Sequence, residues 1–128
     1  MNTEVVSECS RLSDQEKIVF PEVISRLNEA NIVSYYADFL AACKTYYSKT
    51  EAHVVPSLFR TEDKIAQIFS ADKIAQAIQH SQLGKIRYQE FIKQIKAAGV
   101  VSYFVFIEGR KAMYFGRLGE QHIENFPN

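Results

Sequence analysis

The spacing most suggestive of chemistry is Gly84-x-Ile86-x-x-x-Glu90-Phe91. It has the form of the second half of an EF-hand loop, with a sharp-turn glycine, a central isoleucine and a closing glutamate. Such a loop holds calcium only if its first, third and fifth positions offer oxygen. Counting back gives Gln79, Ser81 and Leu83, and in a related earlier segment Arg11, Ser13 and Gln15. Leu83 and Arg11 cannot ligate, so the spacing predicts a helix–loop–helix without calcium. Its loop pieces around Ile18 and Ile86 are expected to pair as short strands, and Glu22 and Glu90 to sit in the first turn of a helix. The histidines His53, His80 and His122 show no metal-ligand spacing. Gly109, Gly116 and Gly119 are not followed by a helical pattern, which excludes a phosphate loop. No nucleophile, base and orienting group can be assembled, so no catalytic residue, metal or cofactor is expected.

Two further sets carry chemistry in principle. Tyr35, Tyr36, Tyr46, Tyr103, Phe104 and Tyr114 form an aromatic set that recurs along the chain and is the candidate ligand or partner surface. Along Val101–Ile107, strand alternation puts Val101, Tyr103, Val105 and Ile107 on one side and Ser102, Phe104 and Phe106 on the other. Both sides are apolar; helices are expected to cover one and a partner the other. The second set is basic: Lys85, Arg87, Lys93, Lys96, Arg110, Lys111 and Arg117. A solvated face accounts for it, because no interleaved stacking platform accompanies it.

Composition narrows the classes. In 128 residues, 47% hydrophobic and 23% charged usage is that of one ordinary globular domain. Lys plus Arg and Asp plus Glu are 15 each, which disfavours a protein held to nucleic acid by phosphate neutralisation. The N-terminus has neither a basic start nor an apolar core, so no secretory signal is expected. The longest uncharged apolar run, Ala97 to Ile107, is eleven residues, about half a membrane span. Cys9 and Cys43 are the only cysteines, and a cytoplasmic, reduced state is expected over a Cys9–Cys43 disulfide.

The elements that must position these residues follow from an internal repeat. A shift of 68 places residues 17–49 on 85–117 without a gap, with nine identities in 33 positions. Among them are Glu22/Glu90, Ser34/Ser102, Tyr35/Tyr103 and Tyr46/Tyr114. Each unit opens with a helix, about Glu4–Leu12 capped by Thr3 and about Asp72–Gln82 capped by Ser70. A second helix follows, from Pro21 to about Ala30 and from Gln89 to Ala98. It ends at Asn31 or Gly99, the residue types that best accept a left-handed C′ position. A hairpin comes next, 101–107 with 111–115 across a Glu108-Gly109-Arg110 turn, and 33–39 with 43–47. In the earlier copy local preference disagrees, since Tyr36, Phe39, Leu40, Cys43 and Tyr47 also make a helical stripe; the repeat decides for the hairpin. A third strand, Ala52–Val55 or Gln121–Asn125, closes each unit. The fold class is therefore α+β: an internal duplication of a helix–helix–hairpin unit, three-stranded with the closing strand, forming an antiparallel sheet packed with helices. One domain, 1–128, is expected, with units about 1–58 and 70–128 and a short linker helix about 61–69. The strand 101–107 belongs at the centre of the shared sheet, because seven uncharged strand-favouring residues are hazardous at an open edge.

Gly84 to Phe91, Ala98-Gly99-Val100 with Tyr103, Tyr114-Phe115-Gly116 and the closing Gly119 to Pro127 together resemble the small bacterial and prophage-borne family of domain of unknown function 1398. The resemblance covers nearly the whole chain and is strongest from Gly84 onward. It implies a small cytosolic α+β domain and lends no catalytic residues. The function expected is a non-enzymatic interaction or regulatory module, prophage-linked by that resemblance. Its partner is another protein or a second copy, with no membrane, nucleic acid or calcium. The alternative is a small-ligand binder or enzyme using the cleft between the two units, with tyrosines and Glu22 or Glu90 inside.

Overall fold

Four positions with positive φ and no glycine, Glu16, Asn31, Ala42 and Arg110, together with Gly84, Gly99 and Gly119, punctuate the chain. Glu16 and Gly84 are 68 apart, as are Asn31 and Gly99, and Ala42 and Arg110. The computed structural model describes residues 1–57 and 63–127. Its elements are α1 (Thr3–Asp14), α2 (Phe20–Glu29), β1 (Ser34–Asp38), β2 (Cys43–Tyr47) and β3 (Ala52–Pro56), then α3 (Ala71–Gln82), α4 (Tyr88–Ala97), β4 (Ser102–Phe106), β5 (Lys111–Phe115) and β6 (Gln121–Asn125). The first four elements of each half stand 68 apart. The third strands stand 69 apart, because the β5–β6 connection is one residue longer than that between β2 and β3.

All four helices end in the same way. Asn31 N–H donates to Asn28 and Ile32 N–H to Leu27, and Gly99 and Val100 do the same to Lys96 and Ile95. This is the Schellman arrangement, which satisfies the last carbonyls and turns the chain toward the sheet. Glu16 and Gly84 end α1 and α3 likewise. The α1 cap is Asn2 rather than the expected Thr3: the Asn2 side chain accepts from Val5 N–H, and Thr3 is already helical. Ser70 caps α3 as expected.

The six strands form one antiparallel sheet in the order β3-β2-β1-β4-β5-β6. The halves join at β1 and β4, where Tyr36 lies opposite Phe104 and the register runs symmetrically about that pair. The expected central place of 101–107 is therefore observed. The 35–47 segment is a hairpin, and a side chain supplies its turn. Asp38 Oδ1 accepts from Leu40 and Ala41 N–H, both at 3.0 Å, and the left-handed residue is Ala42. Ala41 therefore needs no glycine freedom, although Gly109 matches it in the other half.

The helices share one side of the sheet. Val6, Cys9, Val23, Leu27, Ile74, Ile78, Ile92 and Ile95 join Tyr35, Ala37, Tyr46, Val55, Tyr103, Val105, Ala112 and Tyr114 in a single core. Two expectations fail, the pairing of the loops and the linker helix. The loops around Ile18 and Ile86 do not pair as strands; they meet through Arg87, which donates to the Glu16 carbonyl, and Gln89, which donates to that of Asp14. The positions that an EF-hand loop would use first, Gln79 and Ser81 and their counterparts Arg11 and Ser13, lie inside α3 and α1. Residues 63–69 form no helix, and 58 and 61–62 of the expected unit ends lie outside the described residues. The segment instead crosses the end of α4: Ala66 N–H donates to the Lys96 carbonyl, Ser70 N–H to that of Ala98, and Arg117 donates to the carbonyls of Ile65 and Ala66. Capturing carbonyls left free at a helix end fixes the segment as an extended strap. Among the described residues no helix is long and apolar enough to cross a membrane.

Candidate interaction face

Alternation along each strand leaves the second face of the sheet to Ser34, Tyr36 and Asp38 on β1 and to Ser102, Phe104 and Phe106 on β4. The registers extend these into rows that cross all six strands. The middle row reads Val54, Thr45, Tyr36, Phe104, Met113, Ile123. Beside it run Ala52, Tyr47, Ser34, Phe106, Lys111, Asn125 and Pro56, Cys43, Asp38, Ser102, Phe115, Gln121. Among the described residues no helix covers this face. Its centre is a cluster of rings: Tyr36–Phe104 and Phe104–Phe106 centroids are 4.9 Å apart, and Tyr47–Phe104 6.0 Å. These rings are partly exposed, and toward the edges Val54 and Ile123 are 58% and 49% exposed. The only charges in the three rows are Asp38 and Lys111, and Asp38 is already engaged by its turn.

Of the six candidate aromatics, two lie on this face, Tyr36 and Phe104. Tyr35, Tyr46, Tyr103 and Tyr114 do not: they point under the helices and are 2–6% exposed. The sheet pleat forces this split, since neighbours on a strand face opposite sides. Ser102, expected to be exposed with Phe104, is buried by its neighbours. Burial pushes the hydroxyl pKa of Tyr35, Tyr88 and Tyr103 well above the usual tyrosine range, and raises those of Tyr114 and Tyr46 too.

The helix side holds a polar cluster that the sequence reading missed. Lys44 Nζ lies 3.5 Å from Asp14 Oδ1 and 3.5 Å from Ser10 Oγ, with 3% and 8% of the Lys44 and Asp14 side chains exposed. Ser57 Oγ donates to Asp14, and the Tyr88 ring lies 5.2 Å below the ammonium. The Tyr88 hydroxyl is buried without a hydrogen bond of good geometry, although Tyr103 interacts with it. The other half has no such set. Its equivalents are Ala112 for Lys44, Gln82 for Asp14, Ile78 for Ser10, Phe126 for Ser57 and Phe20 for Tyr88. Phe20 and Phe126 pack edge to face at 5.6 Å. The signal was in the repeat alignment, as polar residues set against apolar ones at positions that share one place in the fold.

The remaining candidates take structural roles. Lys96 is buried with its ammonium 5.2 Å from the Phe39 ring, Arg117 holds the strap, and Arg110 donates to the Pro127 carbonyl, so the basic set is not one patch. Glu22 pairs with Arg26 at 2.9 Å and Glu90 accepts from Gln94, both at the surface rather than inside a cleft. A groove of about 360 Å³ is lined by Asn2, Val5, Glu8, Arg26, Glu29 and Ala30, all from α1, α2 and their ends, so it lies within one half. Cys9 and Cys43 are both free; Cys9 is in the helix-side core and Cys43 on the open face, so the sheet separates them. Burial raises the Cys9 thiol pKa, which makes it unreactive. Among the described residues no three His, Cys, Asp or Glu side chains are grouped to hold a metal ion.

The family model described as "Protein of unknown function (DUF1398)" matches residues 12–125. The chain belongs to this family. The match takes in every element from the end of α1 to β6, so both halves of the sheet are family features. No curated protein matches this member.

Proposed function

We propose that this DUF1398 member is a non-catalytic interaction module, regulatory in role, that presents the open face of its sheet to another polypeptide. The observation that carries the reading is the uncovered row Tyr36, Phe104, Met113, flanked by Tyr47, Phe106 and Phe115, with two charges in eighteen positions. Six strands at about 4.8 Å and five residues at about 3.3 Å make a face of roughly 450 Å² in footprint, with a continuous apolar centre of the kind that marks interaction sites. A nucleic acid would need cations along it, and Lys111 is the single one. The test is site-specific photo-crosslinking in the native host, with benzoylphenylalanine at position 104 and, as a control off the face, at Leu118, which is 88% exposed. Position 104 is expected to yield a discrete protein adduct and position 118 none. Equal or absent labelling at both positions refutes the reading.

A second reading rests on the Lys44–Asp14 cluster. Keeping a buried ion pair where the sister half uses Ala112 and Gln82 costs stability, and the Tyr88 hydroxyl lacks a good partner. Both favour a small polar ligand seated between α1, α4 and β2. A thermal-shift screen of small carboxylates separates this reading: stabilisation lost in Lys44→Met supports it, and no stabilisation by any of them removes it.

A further inference from the structure

Resting on the reading of the open sheet as a contact face, we infer that its occupant is a second copy of this chain, stacked face to face as the other half of a β-sandwich. Three features of the face favour that partner. The first is area. Two faces of roughly 450 Å² enclose about 900 Å² of flat footprint, more once the rings interdigitate, which is below the roughly 1,200 Å² of stable specific interfaces and in the range of weak, reversible ones. A second copy has the same six-strand width and five-residue height, so the stack covers the whole patch, at the roughly 10 Å spacing of packed sheets.

The second is charge. Self-association fails when a charged face meets its own image. Here the rows carry one Asp and one Lys, and the chain as a whole has 15 positive and 15 negative side chains, so copies meet without net repulsion. The third is the distribution of polarity. The centre is aromatic, while Gln121, Asn125 and Lys111 lie toward the β6 side and Asp38 at one end of β1. The β3 edge, with Ala52, Val54 and Pro56, is apolar, and the small Ser34 and Ser102 on the central strands are buried, so the rings dominate what a partner meets. The limited area sets the strength: a reversible dimer with a dissociation constant in the micromolar range, about 10⁻⁶ to 10⁻⁵ M.

Sedimentation equilibrium of the full chain from about 1 to 500 μM tests this. Wild type is expected to pass from monomer to dimer and no further. Phe104→Glu places a carboxylate from each copy in the interface and is expected to weaken association about thirtyfold or more, as central aromatic contacts do. Ile123→Glu, at a half-exposed edge position outside the helix-side core, is expected to weaken it severalfold. Leu118→Glu, off the face, is expected to leave it unchanged. Circular dichroism identifies any variant that has unfolded, and Ile123→Glu keeps the test valid if Phe104→Glu does. A monomer throughout the range, or a dimer indifferent to both face variants, overturns the inference. If the monomer nevertheless crosslinks a different protein at position 104, the contact face stands and only the second copy is wrong. If it crosslinks nothing, both fall.

Discussion

Replacing Gly99 should destabilise the fold far more than any change at Asn31, although both residues end the same helix of the repeat. Gly99 has φ +90°, and a Cβ there would sit 2.7 Å from the Ile68 carbonyl oxygen and 2.8 Å from the Phe69 Cα. Both obstacles are backbone, so no side-chain rotation relieves them. Gly99→Ala pays roughly 1–2 kcal/mol for an L residue in the left-handed region. It must also push the strap away, at about 1 kcal/mol for each of the bonds Ala66–Lys96 and Ser70–Ala98. The total is about 3 kcal/mol, and Val, branched at Cβ, costs more. At Asn31, with φ 62°, the side chain is exposed. Asn31→Gly removes mild strain and adds unfolded-state freedom, and the two should cancel to within about 0.5 kcal/mol. In urea, with a slope of about 2 kcal/mol/M, Gly99→Ala is expected to lower the midpoint by about 1.5 M and Asn31→Gly by less than about 0.3 M. A Gly99→Ala midpoint indistinguishable from wild type would refute both the helix end and the strap contact.

Asp14→Ala should cost about 3 kcal/mol, because it strips the carboxylate from a buried ammonium, while Asp14→Leu combined with Lys44→Met should return to within about 1 kcal/mol of wild type; equal losses for single and double variants in denaturant would contradict the pairing. Calorimetry in calcium is expected to show no saturable site tighter than about 10⁻⁴ M, since the early loop positions are helical; a site that tight would overturn the assignment of those positions. Raising pH should destabilise the fold above about 10. Tyr35, Tyr88, Tyr103 and Tyr114 carry folded pKa values above the unfolded one, so their contribution is complete below that value and lost as pH climbs past it. Absorbance near 295 nm should show these tyrosines ionising together with the loss of near-ultraviolet dichroism, and a full tyrosine titration with the dichroism retained would contradict their burial.

The repeat made most of the architecture legible. It placed the two helices and the hairpin of each half within two or three residues, and it overruled the helical stripe in 36–47, which local propensity alone would have drawn as helix. The reason is physical: a hairpin next to another hairpin gains a full ladder, β1 on β4, that a lone helix cannot gain. The linker was read wrongly because Asp-Lys-Ile-Ala-Gln at 63–67 has helix-favouring side chains, while its partners, the end of α4 and Arg117, are 29 or more residues away in sequence. The candidate aromatics were chosen because they recur, and recurrence does not tell one face from the other. Parity did: Tyr103 and Phe104 were already assigned opposite sides, and carrying that rule to β1, β2 and β5 would have placed Tyr35, Tyr46 and Tyr114 in the core. The Lys44 cluster was missed because a repeat read for similarity discards its most informative differences.

Those differences are arranged unevenly, and the arrangement bears on recognition. On the open face the two halves largely agree: Tyr36 answers Phe104, Ser34 answers Ser102, and Tyr47 answers Phe115. A partner docking on so symmetric a surface meets two nearly equivalent orientations half a turn apart. The agreement breaks at Asp38 against Phe106 and at Cys43 against Lys111. Each position pairs a polar or small side chain with a bulky or charged one, which is where one orientation gains a contact and the other meets an unmatched group. Under the sheet the halves differ most, with an ion pair on one side and two phenylalanines packed edge to face on the other. A symmetric backbone thus carries an asymmetric core, and the face takes its preferred direction from those two pairs together with Thr45 against Met113, Ala52 against Gln121 and Pro56 against Asn125.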